Sequence, residues 1–263
     1  MDRGIQTSIA AGLARITINR PEKRNALDRA TIVALTAALE RCERDSAVRV
    51  VQLTGAGDVF CAGADLAEMQ AQRDAAEEEN LADAARLTAL LGTLDSLSKP
   101  TLARVNGDGY GGALGLLGAC DIVIAAIDAK FAFTEVRLGI IPAVISPFVI
   151  AKIGESAARR YFLTAETLTA ERLKELRMVH EVAPAGELDR SCERMVAALL
   201  LAAPGALAEA KRLIRDVARA TNERTAISAD MARRLARLRV QAEAQEGLRA
   251  FFEKRKPGWA SPP

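Results

Sequence analysis

Two short runs of small residues carry the strongest chemical signal in the sequence: Ala62-Gly63-Ala64-Asp65 and Gly111-Gly112-Ala113. Each lies in a Gly-rich loop that leads out of a strand pattern and into a helical one. Each therefore delivers a helix N-terminus, where backbone N–H groups lack intrahelical acceptors and the dipole favours negative charge. Two such N–H groups converging on one oxygen form an oxyanion hole, which polarises a bound carbonyl and stabilises the enolate made from it. Small residues suit that role, because a bulky side chain would hold a ligand off the backbone. Taken singly, each run also reads as a tight turn with close helix packing, and Asp65 reads as the cap of its helix. Glu135 is the carboxyl best placed to move a proton. It sits among Phe131, Phe133, Val136 and Leu138, and apolar surroundings raise a carboxyl pKa toward the useful range. Its plain alternative is a surface glutamate on a short turn.

The elements that must position these groups follow from periodicity and breakers. Residues 5–18 read as two short strands around Gly12, with Leu13, Ile16 and Ile18 apolar, and Pro21 ends them. Asp28 can cap a helix in which Ile32, Leu35 and Leu39 recur at helical spacing. Residues 48–53, 101–105 and 122–126 are compact strands. Residues 70–97 alternate alanine, leucine and charge around the acidic cluster Glu77–Glu79 and read as an exposed helix or mobile segment. From about 155 onward the pattern is mostly helical. Leu207, Ala210, Ile214 and Val217 trace one helix face, and residues 231–240 read as a solvated arginine face over a buried leucine face. Successive strand–loop–helix units specify an α/β fold. No sequence repeat and no linker stand out. The chain divides by pattern into a core over residues 1–200 and a helical region over 201–263.

Composition removes other classes. The chain has 263 residues, half of them hydrophobic and 27% charged, with a net charge of +2. That is ample for a buried core and gives no polyelectrolyte signal, so nucleic acid is not an expected partner. The four cysteines, Cys42, Cys61, Cys120 and Cys192, form no C-x-x-C pair, which argues against a zinc site or disulfide frame and fits a reducing cytoplasm. No apolar stretch reaches the ~20 residues of a membrane span, and no signal-peptide pattern opens the sequence. The single histidine, His180, leaves no basis for a multi-histidine metal site and reads as part of a structural strand. Gly55-Ala56-Gly57 lacks the third glycine of a dinucleotide fingerprint, and there is no P-loop.

The segments NRPEKRNALD (19–28), VFCAGADLAEM (59–69), KPTLARVNG with GYGGALGL (99–116), FTEVRLGIIP (133–142), LTAETLTAERLKELRMVHEV (163–182) and FFEKRKP (251–257) together resemble, in order and spacing, the successive signatures of the crotonase (enoyl-CoA hydratase/isomerase) family. The resemblance runs over nearly the whole chain. It implies a spiral of ββα turns followed by a helical C-terminal region used for trimer assembly, with trimers pairing into hexamers. It implies an acyl-coenzyme A substrate and no separate cofactor. By position, Ala64 and Gly112 supply the oxyanion-hole N–H groups. Lys23, Arg24 and Ala26 lie where the family contacts coenzyme A, and Ala62, Asp65 and Leu66 line the same groove. Lys254 lies where a C-terminal lysine can approach coenzyme A, in some members from a neighbouring subunit.

Many hydratases of the family use two glutamates. Glu135 matches one, but the other position holds Gly115, and no carboxylate lies within residues 111–119. A lone carboxylate supports either hydration of a 2-enoyl-CoA or isomerisation by a proton shuttle between C2 and C4. It also leaves open a non-catalytic acyl-CoA-binding subunit. Asp108, Tyr110 and Ser146 are candidates to help hold a water. The finer resemblance of residues 111–121, 133–150 and 158–166 is to bacterial methylglutaconyl-CoA and carboxygeranoyl-CoA hydratases of leucine and acyclic-terpene breakdown. That implies hydration of a branched or carboxylated acyl group, for which Arg137 is a candidate carboxylate partner, or else a surface or intersubunit arginine.

Overall fold

The computed structural model describes residues 4–219 and 224–260. In chain order the elements are β1 (Ile5–Ala10), β2 (Leu13–Ile18), α1 (Arg29–Arg44), β3 (Val50–Gly55), β4 (Val59–Cys61), α2 (Leu66–Ala71), α3 (Glu77–Ser96), β5 (Thr101–Val105), β6 (Asp108–Tyr110), α4 (Gly112–Ala119) and β7 (Ile122–Ala126). They continue as β8 (Lys130–Ala132), a 3-10 turn over Glu135–Leu138, α5 (Ser146–Thr164), β9 (Leu168–Thr169), α6 (Ala170–Glu175), β10 (Glu181–Ala183), α7 (Leu188–Leu201), α8 (Pro204–Arg219), α9 (Arg224–Arg239) and α10 (Ala242–Phe252).

The strands sort into two sheets. One has six strands in the order β1-β2-β3-β5-β7-β10, and the other has four in the order β4-β6-β8-β9. Successive pairs, β3 with β4, β5 with β6, and β7 with β8, place their first strand in the larger sheet and their second in the smaller. Each pair is followed by a helix, so the chain winds as a spiral of ββα turns. The strand pattern explains the layering. In β2, Ala14, Ile16 and Ile18 are buried while Arg15 between them is exposed, the period of two expected of a sheet with one covered face. β3 is buried along its length, and its one amide, Gln52, is satisfied there by the Nε of Arg15 at 2.8 Å. Gly12, at φ +82°, closes the β1–β2 hairpin in a conformation that favours glycine.

The Asp28 carboxylate accepts from the Thr31 N–H at 2.7 Å and caps α1, which buries Ile32, Leu35, Leu39 and Cys42 at helical spacing. The reading of residues 70–97 as an exposed or mobile segment is corrected in part. The first turn of α3 is exposed, as its three glutamates dictate, but Leu90, Leu91 and Leu94 are fully buried in the main core. Their i, i+1, i+4 spacing is a half-apolar helix that the acidic start conceals. His180 lies just before β10. Its N–H donates to the Val123 carbonyl at 2.9 Å and its Nδ1 accepts from the Val123 N–H at 3.1 Å. Burial, with Lys152 adding to it, pushes its pKa down, so it is a neutral pairing element of the sheet.

The helical end begins where α7 stops at Leu201, beside the pattern boundary at 200. Several of its apolar residues are exposed within the chain: Ile214 on α8 is 68% exposed and Leu235 on α9 is 59% exposed. The expected burial of the 231–240 leucine face is therefore met only in part: Leu238 is half-buried and Leu235 is exposed. No single described helix is long and apolar enough to cross a membrane. The contrast within α3 is directly measurable. Leu94→Ala should cost about 2–5 kcal/mol by urea unfolding, whereas Leu81→Ala, at a position 69% exposed, should stay within about 0.5 kcal/mol.

Candidate active site

Three neighbouring strands of the smaller sheet, β4, β6 and β8, run parallel, so their C-terminal ends lie along one edge. Within two or three residues of those ends come Ala64, Gly112 and Glu135. Parallel strands thus bring together groups far apart in sequence, at the edge where open α/β sheets characteristically bind ligands.

The first loop is held by backbone pairing with residues 24–27. Ala62 N–H donates to the Arg24 carbonyl at 3.0 Å, Leu27 N–H to Gly63 at 2.7 Å, and Asp65 N–H to Leu27 at 3.1 Å. Gly63 N–H points to the Sγ of buried Cys61 at 3.4 Å. Among the described residues, the Ala64 N–H alone in this run has no acceptor. Gly63 stands at φ +85°, and a Cβ there would lie 2.6 Å from the Tyr110 carbonyl oxygen and 3.6 Å from the Gly112 nitrogen. The residue must therefore be glycine, and the two loops touch. Asp65 caps α2, accepting from Ala67 N–H at 2.9 Å and Glu68 N–H at 3.4 Å. Arg20 ties the loop down, with Nη2 at 3.0 Å from Asp65 and 2.9 Å from Asp28, and Nη1 at 2.5 Å from the Ala26 carbonyl. Burial pushes the Asp65 carboxyl up, but the Arg20 guanidinium and the two N–H groups outweigh it and hold the pKa below the usual range.

In the second loop, Gly111 at φ +51° donates to the Ala132 carbonyl at 3.0 Å, and Gly112 opens α4. Its N–H is one of the first-turn donors that a helix cannot satisfy itself. A Cβ on Gly111 would stand 3.4 Å from Oε1 of Glu135, so the Glu135 carboxyl lies against the oxyanion loop. Its Oε2 is buried and has no hydrogen-bond partner. Burial pushes the Glu135 pKa up, opposed only by its own backbone N–H. The position of the absent second glutamate is filled rather than open: a Cβ on Gly115 would meet Ile145 Cγ2 at 2.5 Å and Leu91 Cδ1 at 3.0 Å.

Ala64, Gly112 and Glu135 line one cavity of about 340 Å³, together with Asp65, Leu87, Ile145 and residues of the 140–144 wall. Lys23 and Asp65 line an adjoining concavity of about 640 Å³ with Arg20, Arg29 and Glu68. The other expected residues are placed as follows. Ala26 is buried. Arg24 is exposed, 3.6 Å from Asp108 and 6.0 Å over the Tyr110 ring. Ala62 is half-buried in the loop. Leu66 is 74% exposed, directly after Asp65, and lines neither cavity within this chain. Lys254, exposed beyond α10, also lines neither within this chain. Asp108 accepts from the Tyr110 hydroxyl at 2.9 Å and from the Lys130 N–H at 3.0 Å, so the expected water-holding pair is engaged with itself away from the cavity. The Ser146 hydroxyl donates to the Ala143 carbonyl, and Arg137 is exposed; neither lines the cavity. Sequence reasoning missed Leu87, Leu91 and Ile145. The first two belong to a leucine series at 87, 90, 91 and 94 whose helical period was available. Nothing local marks Ile145.

Residues 8–262 match the family model described as enoyl-CoA hydratase/isomerase. The chain is 34% identical to an enoyl-CoA hydratase of Alternaria alternata over 96% of this chain and 83% of that one. It is 33% identical to a 2,3-dehydroadipyl-CoA hydratase of Escherichia coli over 92% of each. The crystal structure of an enoyl-CoA hydratase from Shewanella pealeana superposes with a TM-score of 0.94 at 39% identity, over 97% of this chain and 96% of that one.

Two outcomes follow from the packing and the charge. Gly115→Glu should destabilise the protein by about 1–3 kcal/mol through overpacking, and Ile145→Ala in the same chain should return part of that loss; thermal unfolding of the two variants checks it. For Glu135, the folded pKa lies above the unfolded one, so its ionisation costs stability as pH rises through the folded value, and the cost is absent below the ordinary glutamate range. Glu135→Gln should therefore raise Tm over wild type at about pH 8 and lose that advantage near pH 4.

Proposed function

Since the chain belongs to the enoyl-CoA hydratase/isomerase family, we propose that it adds water across the C2–C3 double bond of a 2-enoyl-CoA, with Glu135 as the only carboxylate that moves the proton. The observation that carries this is a buried carboxyl oxygen without a partner, in one cavity with two backbone N–H groups that need an acceptor. The thioester oxygen accepts from Ala64 and Gly112, which draws charge from C3. Glu135 orients a water and takes its proton as the water oxygen bonds to C3. The electron pair of the double bond moves to the thioester oxygen, and the enolate is stabilised there. Glu135 then returns the proton to C2. The net change is one water added and the carboxylate restored. A raised pKa suits a group that must take and give a proton within one cycle.

Lys23 and Arg24 lie beside the cavity mouth on the loop after β2, where cationic side chains meet the nucleotide phosphates of coenzyme A. Lys254 reaches that nucleotide from the C-terminal end, of its own or a neighbouring subunit. The reading needs no cofactor beyond the coenzyme A of the substrate. The uncovered apolar faces of α8 and α9 serve self-association into a trimer or hexamer, in keeping with a cytoplasmic enzyme. The acyl group is of the branched class that the resemblance implies; the carboxylated class, to which the Escherichia coli relative named for a dehydroadipyl thioester belongs, finds no free cation in the cavity lining among the described residues. The missing second glutamate favours one alternative reaction, a double-bond isomerisation in which Glu135 carries a proton between C4 and C2.

Product mass and loss of the enoyl-thioester absorbance with a panel of 2-enoyl-CoA and 3-enoyl-CoA substrates separate the two reactions. A gain of one water is expected, and solvent deuterium at C2 and C4 without water addition would transfer the assignment to isomerisation. Glu135→Gln should lower kcat by roughly 10²–10⁴-fold with thioester binding retained. Turnover that is absent before and after the change, with binding unaltered, is the signature of a non-catalytic subunit. Light scattering of the Ile214→Glu variant should show a smaller assembly than wild type.

A further inference from the structure

The acyl cavity has a one-sided electrostatic lining. Its ionisable residues are Asp65, Glu68, Asp83 and Glu135, all acidic, and no lysine, arginine or histidine lines it among the described residues. The neighbouring arginines are held by these same acids. Arg20 holds Asp65 and Asp28. Arg86 Nη1 lies 2.8 Å from Asp83, and Arg29 lies 3.4 Å from Asp83 and 3.9 Å from Glu68. The remaining donor, the Gln72 amide, is spent on Asp83 at 3.1 Å. Opposite these acids stands the apolar wall of Ile140, Ile141 and Val144, and the inner end is closed by Ile145 against Gly115.

A carboxylate at the far end of an acyl chain would leave water without gaining a partner, because each neighbouring guanidinium is already paired with an acid of the lining. Burial of an unpaired charge is among the costliest events in recognition, and denying a ligand group its partner is an established route to selectivity. An uncharged aliphatic chain faces no such cost against the isoleucine wall. The cavity volume of about 340 Å³ is near the small end of the ~300–1,000 Å³ usual for ligand sites, which suits a short or medium acyl group.

We propose that this cavity is a charge filter that admits an uncharged, apolar acyl group and rejects one bearing a terminal carboxylate, with Glu68 and Asp83 as the specificity-determining residues. The proposal rests on the acyl-CoA hydratase reading for its reaction, but its binding component stands apart from catalysis.

The test pairs substrates that differ only in a terminal carboxyl group. With crotonyl-CoA and glutaconyl-CoA, kcat/KM should favour the uncharged member by roughly 10²-fold. With the unreactive pair butyryl-CoA and glutaryl-CoA, calorimetric Kd should favour butyryl-CoA at least about tenfold. A Kd preference without turnover of either enoyl substrate would overturn the hydratase reading and leave the filter standing. Equal Kd values, or tighter glutaryl-CoA binding, would overturn the filter whatever the turnover. The double variant Glu68→Gln with Asp83→Asn should reduce the Kd ratio. Because Asp83 bridges α2 and α3, a second variant guards against loss of folding: Met69→Lys places a cation on the half-buried cavity wall and should shift the ratio about tenfold toward glutaryl-CoA. An unchanged ratio in a folded Met69→Lys variant would also overturn the proposal.

Discussion

The structure around the site is organised by one requirement: two backbone N–H groups must stay without acceptors and yet point into the same space. A folded chain ordinarily eliminates such donors, since each buried one costs about 1–3 kcal/mol. Here the buried asparagines and the guanidinium that brace the loops are satisfied while these two are left out. Asn25, fully buried, accepts from the Arg20 N–H at 2.9 Å and donates to the Ala56 and Val59 carbonyls at 2.8 and 2.6 Å. Asn106 does similar work beside it, accepting from Gly55 N–H and donating to the Gly57 carbonyl. Arg20 fastens two helix caps and a carbonyl with one guanidinium. The loops cannot relax to close on Ala64 or Gly112 without breaking one of these contacts, so the open donors are held available for a ligand oxygen.

Glu135 pushes against stability in the same way. A carboxyl oxygen buried without a partner is retained only where its proton affinity is useful, and burial raises that affinity. The opposite wall makes the contrast sharper. At Gly115 the space a second carboxylate would need is packed with Ile145 and Leu91, both out of solvent. An apolar plug there keeps the dielectric low around Glu135 and, under the proposed reaction, leaves the proton transfers to Glu135 alone.

The backbone part of this was legible in the sequence because it depends on glycine and alanine. Gly63 and Gly111 are fixed by positive φ and by atoms a Cβ would strike, so the small residues around Ala64 and Gly112 announce the cradle directly. Glu135 was legible from its apolar neighbours, and the Asp28 and Asp65 caps from residue type and place. The cavity walls were not. Leu87 and Leu91 were hidden by the acidic first turn of α3, which makes the segment look solvated although its second half is core. Ile145 reaches Gly115 only through tertiary packing, and no local pattern encodes that. Adjacency to a functional loop does not fix direction: Leu66, at the first position of α2, is exposed and outside both cavities. The 231–240 leucines show the limit of amphipathicity, since a stripe announces that something covers it but not that the cover belongs to the same chain.

The absence of a sequence repeat, despite three ββα turns, has the same physical origin. β4, β6 and β8 each end at one sheet edge, and each is followed within three residues by a functional group. The first two turns contribute a backbone N–H, which demands only small residues; the third contributes a carboxyl side chain. A repeated backbone path is compatible with unrelated side chains wherever the chemistry is supplied by the main chain, so the repetition is written in geometry and not in residues. The division also separates two properties. The thioester cradle belongs to strand register and glycine sterics, and a change there disturbs the fold. Proton transfer and acyl choice belong to side chains on the third turn, on α4 and on the α2–α3 wall, which can change while the cradle stays. A glycine at 115 is therefore compatible with an unchanged geometry at Ala64 and Gly112, and under the proposed reaction the outcome is decided by Glu135 and by what the cavity admits beside it.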